Sequence, residues 1–466
     1  MMKKKQAVSP LHKWKKIILV GAALMILLHM ALGLMMSGSK LNESTENRLM
    51  LYCESALLVA VLGCCGVYLL LAKKDQAAWQ RTGQRLRRLR CPEMAVLLFM
   101  LGYYALLCLV NAIQYPGSFS SAHAYLVDMA VCVLLLFPMA MVLGVRKARW
   151  GMDKLLHLLV ICFTAFVLWA LWVLFNGKKV MMPGGQMVGM RNGNQFQIGA
   201  NANISAAMCT AMVMICLYMI AMGKGKVKIL YAAALVPHLM TVLYTNSRGH
   251  FFALWVMVPL LVLMVLWHKT KGMHVLWRLV ISCAGAVAAA VLMTLLRQWV
   301  FDLYHAIVPK GKGGGTVRKD MTVDVARQKI WHSTIKHIFS SPRAFLLGTP
   351  VSQIPQAIEQ AMAGLYGTGH SFVHAHNVIL HAGLVMGFPG MAAMVALFVM
   401  LFVRCLRVLL GKGKSNPAGA YVLPICMLGM VVINMFESFL LFFLSLMGCL
   451  FFLYAGWVVS LDRLDG

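Results

Sequence analysis

The chain has 466 residues, 61% of them hydrophobic and 12% charged, with a mean hydropathy of +0.77, which excludes a water-soluble domain of this size. Its 43 Lys and Arg against 14 Asp and Glu give a net charge of +29, a balance that in a soluble protein points to nucleic acid. Here the cations lie between apolar runs and sort by side, so the excess is topological and a nucleic-acid partner is not expected.

A helix that crosses hydrocarbon needs about 20 apolar residues at about 1.5 Å each, because lipid offers its backbone no hydrogen bonds. About twelve runs meet that requirement. The first six are Ile17–Met36, Leu49–Ala72, Met94–Ala112, Tyr125–Gly144, Leu155–Phe175 and Ile204–Met222. The others are Ile229–Tyr244, Phe251–Trp267, Leu276–Leu296, Phe388–Leu410, Ala418–Phe436 and Phe439–Leu461. The expected fold is an all-α polytopic membrane protein with one large, mainly helical extracytoplasmic loop.

An even number of spans puts both termini on one side. The short loops on that side, such as Lys73 to Arg90 and Arg146 to Lys154, are the richer in Lys and Arg, so both termini are expected in the cytoplasm. The expected organisation is a basic tail (1–16), nine spans (17–296), an outer loop domain (297–376), a short interfacial helix (377–387), three spans (388–461) and a tail (462–466). The first run follows Lys3, Lys4 and Lys5, and its length makes it a retained anchor rather than a cleaved signal. The 13 cysteines fall almost wholly in spans, without metal-type CxxC spacing or a disulfide framework.

The outer loop opens with the interfacial aromatics Trp299, Phe301 and Tyr304. The tract Gly311 to Thr316 lacks the order of a phosphate-binding loop and reads as a linker. From Val323 to Phe339, apolar residues including Ile330, Trp331 and Ile335 follow a helical stripe, with Asp324 as a cap and Ser340, Ser341 and Pro342 as the stop. Three further outer stretches carry polar groups. Arg191, Gly193, Asn201 and Asn203 precede the sixth span, where the asparagines also suit a helix cap. Thr245, Asn246, Ser247, Arg248 and Gly249 form a very short hairpin after the seventh, whose arginine also suits snorkelling to headgroups. His374, Ala375, His376 and Asn377 precede a short apolar helix stopped at Gly387, Phe388, Pro389 and Gly390. His370, His374, His376 and His381 lack a cysteine or a nearby carboxylate to complete a zinc shell, so no metal is expected. Glu54, Asp128 and Glu437 are acids in or near spans, and such groups are candidates for function. Glu437, at the outer end of the eleventh span, is placed to meet an acceptor or an arginine.

These strings resemble the O-antigen ligase and polymerase family of integral-membrane glycosyltransferases. His376, Asn377, Gly387 and Gly390 match its H-N-x9-G-x-x-G signature, and Ser247, Arg248 and Gly249 its Ser-Arg-Gly turn. Asn201 to Ala206 resembles its Asn-Pro-Asn-x-x-Ala segment with alanine for proline, and Arg327, Trp331, Pro342 and Gly348 resemble its outer-loop pattern. The resemblance spans about residues 191–438 and implies glycan transfer from a polyprenyl (undecaprenyl) diphosphate to an acceptor hydroxyl, at the outer face of a bacterial inner membrane. It implies His376 and Asn377 as catalytic, Arg248, Arg327 and Arg191 around the diphosphate, and Asn203, Glu437 and His374 toward the substrate or acceptor. The implied partners are the lipid-linked donor, a glycan or lipid A core acceptor and membrane lipids, with no cofactor. A polysaccharide polymerase of the same family is the alternative, and a lipid-linked-glycan flippase is the alternative of a different class.

Overall fold

The computed structural model describes residues 10–35, 45–114, 119–147, 149–182, 186–191, 195–199, 201–222, 225–307, 325–354, 356–358, 374–412, 417–440 and 445–464. Ten helices among them are long and apolar enough to cross a membrane, and a shorter apolar stretch covers Tyr421–Asn434. In chain order the first half comprises α1 (Pro10–Met35), α2 (Thr45–Lys73), α3 (Gln76–Leu86), α4 (Pro92–Gln114), α5 (Phe119–Ala130), α6 (Phe137–Lys147) and α7 (Arg149–Phe175). A π-helical turn, Val131–Leu136, joins α5 to α6. The second half comprises α8 (Ala202–Met222), α9 (Val227–Tyr244), α10 (Arg248–Lys269), α11 (Val275–Ile307), α12 (Val325–Ile338), α13 (Pro342–Leu347), α14 (Val378–Arg407), α15 (Pro417–Asn434) and α16 (Leu446–Leu464). The protein is thus an all-α polytopic membrane protein, with α1 and α15 at the two expected spans outside the ten.

Three features depart from the sequence expectation. Between α7 and α8 the chain forms a three-stranded antiparallel sheet, β1 (Val180–Met182), β2 (Gln186–Arg191) and β3 (Gln195–Gly199), in the order β1-β2-β3. The register pairs Val180 with Val188 and Met187 with Gly199, in a stretch for which no strand was expected. Between α2 and α4 the basic stretch is an amphipathic helix, α3, started by Asp75, whose carboxylate accepts the Ala78 N–H at 3.0 Å. The last span begins at Leu446 rather than Phe439. Polar side chains interrupt that apolar run. Asn434 accepts the Phe439 N–H at 2.9 Å, and Ser445 donates to the Phe439 carbonyl at 2.7 Å while accepting the Gly448 N–H at 3.0 Å.

Side-chain ties fix which helix ends lie together. At one end Arg404 of α14 donates to Glu93 of α4 at 2.8 Å and to Asp462 of α16, while Arg463 donates to the Arg88 and Arg90 carbonyls. At the opposite end Arg343 of α13 donates to Gln114 of α4 at 2.6 Å, and Tyr103 donates to the Leu346 carbonyl. The linker after α13 is clamped onto α14 by two glycines. Gly387 has φ 67 and interrupts α14, and Gly348 has φ 69. A Cβ on Gly348 would lie 2.6 Å from the Val385 backbone, and one on Gly387 2.5 Å from the Phe345 carbonyl. The Thr349 N–H donates to the Leu384 carbonyl at 2.7 Å in the same contact. Helices α12 and α13 are thereby held beside the first part of α14. The Gly311 to Thr316 tract, Asp324, Gly193 and His370 lie outside the described residues.

Candidate functional site

The helix ends opposite α3 carry a polar cluster centred on Glu437, in the turn after α15, which is 1% exposed. Its Oε1 accepts from Arg327 Nη2 of α12 at 2.6 Å and from Asn203 Nδ2 of α8 at 2.8 Å. Its Oε2 accepts from His376 Nδ1 at 3.0 Å, just before α14. Asn203 in turn accepts from the Ser247 hydroxyl at 3.1 Å, which ties in the turn between α9 and α10. A serine hydroxyl has one proton, so Ser247, having given it to Asn203, accepts from His250 Nδ1 at 2.9 Å. Five stretches far apart in sequence are therefore joined by one continuous hydrogen-bonded chain.

The charges decide the state of the carboxyl. Burial pushes the Glu437 pKa up, but the charges of His376 and Arg327, with the His376 hydrogen bond and His374, outweigh it and hold it at about 2. Glu437 is an anion at any working pH, so the proton in the bond to His376 sits on Nδ1. In the neutral form of that imidazole the remaining proton stays on Nδ1, bound to the carboxylate, and Nε2 carries the lone pair. His374 packs beside it, with ring centroids 4.0 Å apart, and its Nδ1 accepts the His376 N–H at 3.3 Å. Burial, reinforced by the His376 charge and opposed by Glu437, holds the His374 pKa well below its ordinary value, so that ring is neutral.

Local backbone supports the placement. Among the described residues the non-glycine residues with positive φ are His376 (φ 48) and Asn246 (φ 55), both in this site. Left-handed backbone costs about 1–3 kcal/mol in a side-chain-bearing residue and persists where the surroundings impose it. At His376 the surroundings are Trp331, whose Nε1 donates to the His376 carbonyl at 3.3 Å, and Asn377. Asn377 caps α14 by accepting the Ile379 and Leu380 N–H groups, and it donates to the Met435 carbonyl at 3.1 Å. At Asn246 the surroundings are Arg297 of α11, 4% exposed, which donates to Asn246 Oδ1 at 3.2 Å and lies over the Phe251 ring at 4.8 Å.

Asn203, Arg327, His376 and Glu437 thus come together, with His374 against His376. Arg248, partly exposed, is the first residue of α10 and follows Ser247 directly. Arg191 ends β2, and its side chain is outside the described residues. Asn377 directly follows His376, with its Oδ1 on the first N–H groups of α14 and one amide N–H on the Met435 carbonyl. Sequence reasoning missed His250, Trp331 as a backbone donor, and Arg297, which was read as part of the outer loop. His250 directly follows the Ser-Arg-Gly string, and that adjacency is the signal that could have found it.

A carboxylate does stand near the histidines, contrary to the sequence expectation: His374, His376 and Glu437 each offer a ligand atom, all within 4.8 Å of one another. The donors do not suit a dication, because both Glu437 oxygens already accept hydrogen bonds and a guanidinium lies 2.6 Å from one of them. The cluster is built as a hydrogen-bonded carboxylate–imidazole pair with the Arg327 guanidinium on the same carboxylate.

Residues 233–395 match the protein family described as O-antigen ligase. The match takes in Ser247, Arg248, Arg327 and His376 and stops short of Asn203 and Glu437, which the fold brings to the same place. No curated protein matches the chain.

Proposed function

From the premise that residues 233–395 are those of an O-antigen ligase-type protein, we propose that the chain transfers a glycan from a polyprenyl diphosphate, undecaprenyl diphosphate in a bacterial inner membrane, to an acceptor hydroxyl on the extracytoplasmic side. The observation that carries this reading is the Glu437–His376 pair with Arg327 on the same carboxylate.

The acceptor oxygen attacks the anomeric carbon while His376 Nε2 takes its proton. The bond from that carbon to the diphosphate breaks, and its electron pair leaves on the diphosphate. Glu437 stabilises the imidazolium that forms, as a buried carboxylate does beside a catalytic histidine. Arg327 uses one of its five N–H donors on Glu437, which fixes the guanidinium and leaves others for the leaving phosphate. Arg248, at the start of α10, and Arg191 complete the cationic surround. The helix N-terminus at Arg248 adds a partial positive charge for the same anion. Catalysis needs no metal in this scheme, because guanidinium groups meet the developing charge.

A polymerase performs the same chemistry with a growing glycan as acceptor, so the ligase and polymerase readings share this site. A flippase is disfavoured, because transporters bind near the midplane between repeats, whereas this cluster sits at helix ends. The separating experiment supplies purified protein in detergent with a radiolabelled lipid-linked donor and candidate acceptors. Formation of a glycosidic product supports transfer. Movement of donor across liposomes with no product would overturn it.

A further inference from the structure

At the opposite end of the molecule, α1, α2, α3 and the π-helical turn with α6 enclose a cleft of about 260 Å3 that the transfer chemistry does not use. Its lining is mostly apolar, with Leu62, Leu134, Leu135 and Pro138 among it, and Lys15, Arg85, Tyr68 and Thr82 are its polar members. Leu62 lies eleven residues before Lys73, the end of α2, or about 16 Å along the helix, so the cleft reaches about halfway through a roughly 30 Å hydrocarbon layer.

The rim is basic. Beside Arg85, α3 and the turn after it carry Arg81, Arg87 and Arg88, while among the described side chains Asp75 caps α3 and Glu93 and Asp462 pair with Arg404. Helix α3 has the form of an interfacial helix, with Ala78 and Thr82 buried and Trp79 41% exposed. An apolar slot open beneath two cations complements an amphiphile with an acyl chain and an anionic head.

We propose that this cleft is a binding site for an anionic phospholipid of the leaflet that meets α3, with one acyl chain between α2 and α6 and its phosphate held by Lys15 and Arg85. Basic pockets between membrane helices select anionic heads, and each cation near a membrane surface changes such binding about fivefold. The site is independent of the transfer reading and stands or falls without it.

The test is native mass spectrometry of the full chain in detergent, offered equal amounts of phosphatidylglycerol and phosphatidylcholine with identical acyl chains. The expected result is a phosphatidylglycerol-to-phosphatidylcholine ratio of about 25 in the wild type, falling about fivefold in Arg85→Gln and in Lys15→Gln. Both variants keep a side chain of similar length at a partly exposed position. Equal occupancy of the two lipids by the wild type would overturn the proposal. So would a ratio unchanged in the Lys15→Gln/Arg85→Gln double variant, or loss of both lipids from it, since the cations would then shape the cleft rather than read the head.

Discussion

Replacing Glu437 with glutamine changes one atom and removes one charge. The glutamine carbonyl can still accept from Arg327 and Asn203, whose donors lie 2.6 and 2.8 Å from Oε1. The new amide N–H2 then stands where Oε2 accepted from His376 Nδ1 at 3.0 Å, so two donors face each other. The imidazole relieves this by moving its proton to Nε2, which removes the lone pair that would take the acceptor's proton. A wrong tautomer in an analogous carboxylate–histidine pair costs about 10⁴ in rate, and the lost charge-assisted hydrogen bond is worth about 1.5–3 kcal/mol by itself. Glu437→Gln is therefore expected to lower kcat for glycan transfer by about 10³-fold or more, with donor KM changed little because Arg248 and Arg327 keep their places. The assay is steady-state transfer with purified donor, on protein shown by size-exclusion chromatography to be monodisperse. Activity within about threefold of wild type would refute the tautomer argument.

Arg327→Lys is expected to lose most transfer activity, since a point charge cannot hold Glu437 and a phosphate in one planar fork; full activity in the lysine variant would remove Arg327 from the clamp. Glu437 has its pKa lowered from 4.5 to about 2, so its contribution to stability, roughly 3 kcal/mol, is present above pH about 4.5 and is lost as pH falls toward about 2. Thermal unfolding of wild type against Glu437→Gln is expected to show a gap that is flat above pH about 5 and closes below it, and a constant gap down to the acid limit would be the wrong sign of behaviour. Chelation with EDTA is expected to leave transfer unchanged, measured before and after dialysis, while metal-dependent recovery would restore the His374–His376–Glu437 triad as a metal site.

Much of the fold was readable because lipid imposes a length and a composition on each span, and runs such as Ile204–Met222 and Ile229–Tyr244 meet both. The small sheet was not readable. Its strands are short and rich in Met, Gln and Gly, and apolar residues alternate only briefly, at Val188 and Met190 and at Phe196 and Ile198. The late start of α16 was hidden because Phe439 and Leu440 are as apolar as a span, and the chain is turned there by Asn434 and Ser445 side chains. In the site, Asn203, Ser247, Arg327 and His376 were legible from motif strings, and Glu437 from being an acid beside apolar helices. That Glu437 could meet an arginine was expected, but its hold on Asn203 and His376 through the same carboxylate was not legible, since it depends on how five helix ends meet. Arg297 was assigned to the loop because hydropathy ends the span at Leu296, whereas α11 continues to Ile307 and buries it.

The most direct test is transfer by the purified chain carrying His376→Ala, inserted and monodisperse, with lipid-linked donor at saturating concentration. The account predicts loss of glycosidic product by at least about 10²-fold with donor still bound. Near wild-type turnover by that variant would contradict it.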